Sequence, residues 1–162
     1  MRAPLNYKYI SSYFSNNRLH PILRIWRPHL AIDYAAPTRT PISTIGDGTV
    51  IYVGWKDGYG NYIQIRHPNN YVTGYGHLSG FVKGLKNGLK VKQGEIIGYV
   101  GATGLATGPH LDFSISKNGE KVDFLKLELP AASSVDSQYI AQFNEVKNNL
   151  LNALKNGLPP SS

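Results

Sequence analysis

Between residues 49 and 119 apolar and polar positions alternate in short bursts, with no helical recurrence. "TVIYVGW" (49–55), "NYIQIRH" (61–67), "YVTGYGHL" (71–78), "EIIGYVG" (95–101) and "LDFSISKNG" (111–119) are rich in β-branched and aromatic residues with partial period-two alternation. The breaks between such runs, "GDG", "KDGYGN", "HPNN" and "KNG", are turn chemistry. Short strands at regular spacing with polar turns predict an all-β fold, a compact antiparallel sheet or sandwich. Residues 1–28 are aromatic and basic, with "SNN", Pro21 and Pro28 as punctuation, and predict an extended, loop-rich lead-in to a β domain over 29–128. "LPAASSVDS" (129–137) reads as a linker. The period then changes. Tyr139, Phe143, Val146, Leu150 and Leu154 recur at helical spacing, and Gly157 and Pro159-Pro160 end the run. This predicts one amphipathic helix over 138–156 and a short tail over 157–162.

Composition adds little to the fold and something to the partner. The 162 residues are 41% hydrophobic and 17% charged, the profile of an ordinary globular core. A net charge of +7 favours an anionic partner, but no dense Lys/Arg run is present, which argues against nucleic acid. With no cysteines, disulfides and thiolate metal sites are excluded. No apolar run is long enough to span a membrane. The start, "MRAPLNYKYI", lacks the apolar segment of a signal peptide.

Three segments hold chemistry-bearing residues. "HLAID" sets His29 four residues before Asp33; on a strand the two share a face but need a bend to meet. The same pair also reads as an exposed carboxylate beside a capping or core histidine. "GYGHLSG" puts His77 after Gly74 and Gly76, which permit a bulge or a close backbone approach. "GPHLDF" places His110 and Asp112 on one face of a strand, if a strand follows the Gly108-Pro109 turn. Three histidines and two carboxylates are the parts of a metal-assisted hydrolytic site, which needs about three protein ligands and an open position for water. His67, in "IRHPNN", reads as a turn residue, and His20, in "RLHPIL", is ambiguous.

In this order, "ISSYFSNNRLHPIL", "HLAIDYAAPTRTPI", "GDGTVIYVGWKDGYGNYIQIRH", "YVTGYGHLS", "VKQGEIIGYVGATGLATGPHLDF" and "NGEKVD" resemble the lysostaphin-type, LytM-like M23 zinc endopeptidases, which cut peptidoglycan cross-bridges. The resemblance covers most of residues 10–128. It implies Zn²⁺ as cofactor, His29 and Asp33 as ligands, and His77 and His110 as catalytic histidines, with His110 the base. It also implies a peptidoglycan peptide as substrate and a place in the bacterial cell envelope. Two positions depart from the pattern. The final motif of the family reads His-x-His, its second histidine being the third ligand, and Asp112 stands there. Arg39 stands where glycine is usual. Asp112 is expected to complete a His29/Asp33/Asp112 site, because the other four groups are all retained. The alternative is a degenerate domain that binds peptidoglycan or activates another cell-wall hydrolase. A carrier-domain reading of "VKQGEIIGYVGATG", with Lys92 as attachment point, lacks the Met-Lys-Met signal.

Overall fold

Alternation builds a sheet whose two faces have different tasks, and the strand carrying His110 shows it most clearly. There, Leu111, Phe113 and Ile115 are buried in the core, while His110, Asp112, Ser114 and Ser116 occupy the other face. The computed structural model describes residues 3–127, 146–148 and 151.

Twelve strands are present among them: β1 Tyr9–Ser12, β2 Ser15–Leu19, β3 Trp26–His29, β4 Ile32–Ala35, β5 Pro41–Ser43, β6 Gly48–Lys56, β7 Gly60–Arg66, β8 Tyr71–Phe81, β9 Lys90–Val91, β10 Ile96–Val100, β11 His110–Lys117 and β12 Glu120–Val122. The main sheet runs β1-β4-β11-β8-β7-β6-β9, with β10 joining β5 to β8 and β12 beside β11; every pairing is antiparallel. β2 and β3 form a separate two-stranded hairpin. The core holds Ile42, Ile63, Ile65, Tyr75, Leu78, Ile97 and Leu111, all fully enclosed, and a 3-10 turn at Phe124–Lys126 sets Phe124 edge-on against Phe113. Burying such a side chain is worth about 1.5–3 kcal/mol.

The all-β antiparallel expectation holds, and the five alternating runs coincide with β6, β7, β8, β10 and β11. The lead-in is the exception. Residues 9–29 form β1, β2 and β3 where loop was expected. Turn residues and Pro28 obscure the pattern, but proline is tolerated in an isolated hairpin, where a strand edge needs no donor. The linker read at 129–137 and most of the helix read at 138–156 lie outside the described residues; residues 146–148 and 151 are helical. Among the described residues no helix is long and apolar enough to cross a membrane.

Candidate metal centre and flanking histidines

Strand register assembles the site. β4 lies beside β11 with Asp33 directly opposite Asp112, and β8 lies on the other side of β11 with Gly76 opposite Asp112. His29 ends β3, the chain bends at Ala31, and Asp33 follows on β4. This is the bend that the four-residue spacing requires. One ligand atom from each of His29, Asp33 and Asp112 lies within 4.8 Å of the others.

The bonding of these atoms decides whether a cation fits. His29 Nε2, Asp33 Oδ1 and Asp112 Oδ1 are buried and have no hydrogen-bond partner among the described residues. His29 Nε2 approaches Asp33 Oδ1 to 3.3 Å without hydrogen-bond geometry. Buried polar atoms are ordinarily satisfied, and an orphaned one costs about 1–3 kcal/mol. Two carboxylates directly opposed on adjacent strands also repel. Three such orphans converging on one point, two of them anionic, suit a divalent cation, and the imidazole and carboxylate donors suit zinc. Burial alone raises the Asp33 carboxyl, but His29 and then His110 outweigh it and hold the carboxyl below its ordinary value. Asp112 is pushed up to about 6, by burial first and the Asp33 charge second.

Two histidines flank the cluster, both oriented by the glycine-rich loop before β11. His77 Nδ1 lies 2.7 Å from the Thr103 carbonyl oxygen, and His110 Nδ1 lies 2.8 Å from that of Gly108. A carbonyl only accepts, so each Nδ1 carries the proton and each Nε2 is left with a free lone pair. The rings are 4.7 Å apart, and His110 Nε2 is 3.9 Å from Asp33 Oδ1. Burial lowers the His77 pKa, which keeps the ring neutral.

His77 reaches the site by breaking the alternation of β8. Thr73 and Tyr75 face the core, so a regular strand would send His77 there too. A register irregularity opposite Asn61–Ile63 and a left-handed backbone (φ 62°) at His77 turn the ring out and return Leu78 to the core. Gly76 is needed beside it, because a Cβ there would press within 3.3 Å of the Asp112 Cβ. The loop is clasped in turn to the β6–β7 turn. Leu105 N–H donates to the Gly58 carbonyl at 2.9 Å, and a Cβ on Gly104 (φ 73°) would fall 2.4 Å from the Gly60 nitrogen.

The cluster forms the floor of an open groove of about 740 Å³, walled by the β2–β3 hairpin on one side and by Asp57–Tyr59, Leu105 and Thr107 on the other. Several residues here are not among those that the sequence singles out. Arg18 Nη1 donates to Ser12 Oγ and lies 3.8 Å from Asp33 Oδ2. Lys121 Nζ donates to Ser114 Oγ at 2.7 Å and lines the same groove, its pKa lowered by burial. Both depend on cross-strand placement, for which one-dimensional spacing holds no signal. The remaining histidines are held by backbone contacts, and His20 also lines the groove. His67 Nδ1–H donates to the Asp47 carbonyl at 2.8 Å, and His20 Nδ1 accepts from the Ile22 and Leu23 N–H groups in the hairpin turn. Arg39 has φ 70°, a left-handed backbone that glycine adopts without strain.

With the geometry in place, the comparisons decide the family. The model of Peptidase family M23 matches residues 27–124. The chain belongs to peptidase family M23. It is 48% identical over 127 residues to the DD-carboxypeptidase/endopeptidase Mpg of Neisseria meningitidis serogroup B, covering 78% of this chain and 29% of that protein. It is 43% identical over 143 residues to the peptidoglycan DD-endopeptidase ShyA of Vibrio cholerae, covering 88% of this chain and 33% of that protein. The crystal structure of a zinc-containing peptidase from Vibrio cholerae superposes with a TM-score of 0.72 at 39% identity, covering 79% of this chain and 40% of that one. The M23 chain thus spans a third or less of the length of these two curated relatives.

Proposed function

We propose that this chain is a zinc-dependent endopeptidase that hydrolyses DD-peptide cross-links of bacterial peptidoglycan in the cell envelope. The observation that carries the reading is the convergence of three buried, unpartnered donor atoms, from His29, Asp33 and Asp112, on the floor of an open groove in an M23 peptidase fold. The names of the relatives supply the substrate class.

His29, Asp33 and Asp112 would hold the metal. Zinc bound there supplies Lewis acidity, polarising a carbonyl and acidifying a water. His110 offers Nε2 beside this cluster and accepts the proton of the hydrolytic water, then returns it to the leaving amine. Its Nδ1–H bond to Gly108 keeps the accepting nitrogen aimed at the groove. His77 stabilises the tetrahedral oxyanion. In its resting tautomer His77 Nε2 can only accept, so this role requires a second proton on the ring; burial opposes that form and the Asp33 charge favours it. Arg18, 3.8 Å from Asp33 Oδ2, helps to position Asp33 through the oxygen other than the unpartnered Oδ1. The groove is open, as an extended polymer-borne peptide requires.

A non-catalytic wall-binding module is the weaker reading, because a decayed site has no chemical need to keep three buried donor atoms unpartnered at one point. The test is digestion of isolated wall sacculi, followed by separation of the soluble fragments. The expected result is conversion of cross-linked dimers to monomers, abolished by chelation and restored by zinc. Unchanged cross-linking with zinc-loaded protein would overturn the proposal.

A further inference from the structure

Hydrolysis at the metal leaves one wall of the groove unused. Arg18 and Arg27 stand directly opposite one another across the β2–β3 hairpin, so their side chains share a face, and both line the groove. Two guanidinium groups opposed on a hairpin repel unless an anion lies between or beside them. Arg18 has such company in Asp33, 3.8 Å away. Arg27 is exposed and, among the described residues, has no ion pair and no side-chain hydrogen bond. The opposite wall carries Asp57. Lys121 also lines the groove, but its ammonium donates to Ser114 Oγ and it is half-buried, so the exposed guanidinium of Arg27 on the hairpin wall is the groove cation without a partner among the described residues.

We propose that Arg27, with Arg18 beside it, is the recognition site for a free carboxylate on the residue immediately after the scissile bond. The inference rests on the peptidase reading of the same groove. Arg27 and His29 are two residues apart on β3, on one face and roughly 7 Å apart along the strand. A carboxylate on the residue after the bond lies about one residue length, roughly 3.5 Å, from the carbonyl under attack, within reach of a long guanidinium side chain. Arginine presents a planar fork that takes a carboxylate through two parallel hydrogen bonds. The residue immediately before the bond has its α-carboxyl in the scissile amide, so of the two residues that flank the bond only the one after it can carry a free α-carboxyl. A terminal D-amino acid has one, and so does the acceptor centre of a cross-link formed through the side-chain amine of a diamino diacid, whose amine carbon also bears a carboxyl; a cross-link through a lysine side chain has none. A bridge of internal residues such as polyglycine has none. The site accordingly selects DD-type substrates and rejects internal peptide bonds.

The experiment uses N-acyl-D-alanyl-D-alanine and its C-terminal carboxamide. Hydrolysis by the zinc-loaded full chain is measured beside binding of both peptides to the zinc-free chain by NMR titration. The acid should be preferred about 10–100-fold in kcat/KM and in affinity, the range for a charge-assisted hydrogen bond. Arg27→Ala and Arg27→Gln should bring the acid-to-amide ratio to within about threefold of one. Lys83→Ala removes the same charge away from the groove and should leave the ratio unchanged. Equal treatment of the two peptides by the wild type, or an undiminished ratio in both Arg27 variants, would overturn the proposal. Selective binding of the acid through Arg27, with neither peptide hydrolysed and the cross-links of sacculi left unchanged by the zinc-loaded chain, would support the carboxylate site and refute the peptidase reading instead.

Discussion

Asp33 on β4 and Asp112 on β11 face each other directly across an antiparallel pair, both buried and each with an unpartnered Oδ1. Without a cation this pair costs stability. Burial and the Asp33 charge push Asp112 up to about 6, above its unfolded value of about 3.9. A carboxyl raised in this way contributes its stability fully below the unfolded value and loses it as pH rises through about 6. Zinc-free Asp112→Asn should therefore match zinc-free wild type near pH 4 and exceed it above pH 7 by up to a few kcal/mol. Denaturant unfolding in chelator across that range measures the difference. Parallel stability curves would mean that Asp112 does not face Asp33 as a buried charge.

The histidines separate by substitution. His110→Ala should retain zinc and lose about 10²–10⁴-fold in hydrolysis, the usual contribution of a general base. His77→Gln keeps a neutral donor at the groove and should retain more activity than His77→Ala. If His77→Gln and His77→Ala are equally inactive while His110→Ala remains active, the two roles are exchanged. Initial rates on a cross-linked muropeptide, with bound zinc measured in parallel, distinguish these cases.

Much of this site is legible in the sequence. His110 and Asp112 share a face because they are two residues apart on a strand, and His29 and Asp33 meet because the chain bends between them. His77 is not legible from periodicity. Counting by twos along β8 sends it into the core, and only the bulge and the left-handed backbone turn it out. The paired glycines before it are the available sign. Arg18, Arg27 and Lys121 are illegible for another reason. Each acts through a neighbour on another strand, and cross-strand register is absent from local spacing. β2 and β3 leave no alternating pattern because their outward residues are mixed apolar and polar, with Leu19 and Trp26 both exposed.

The loop that aims the histidines depends on Gly104. A Cβ there would meet the backbone of Gly58–Gly60, and its φ of 73° suits glycine. Gly104→Ala should cost about 1–3 kcal/mol and displace the Thr103 carbonyl that orients His77. The expected result is a lower Tm and reduced turnover with zinc still bound. Unchanged Tm and rate would show that this clasp does not set the position of His77.

Asp112→His tests the departure from the family pattern. A neutral imidazole removes one negative charge, so bound zinc keeps more of its positive charge and acidifies water more strongly. The pH–rate profile should reach its plateau at lower pH, with a higher rate near neutrality. A profile identical to that of the wild type would place Asp112 outside the ligand set.

Zinc stoichiometry tests the central claim most directly. Protein equilibrated with micromolar zinc, freed of unbound metal and submitted to elemental analysis should hold close to one zinc per chain, with Asp112→Asn holding markedly less under the same conditions. Wild-type protein that emerges without zinc would contradict the His29/Asp33/Asp112 centre and the hydrolytic reading built on it.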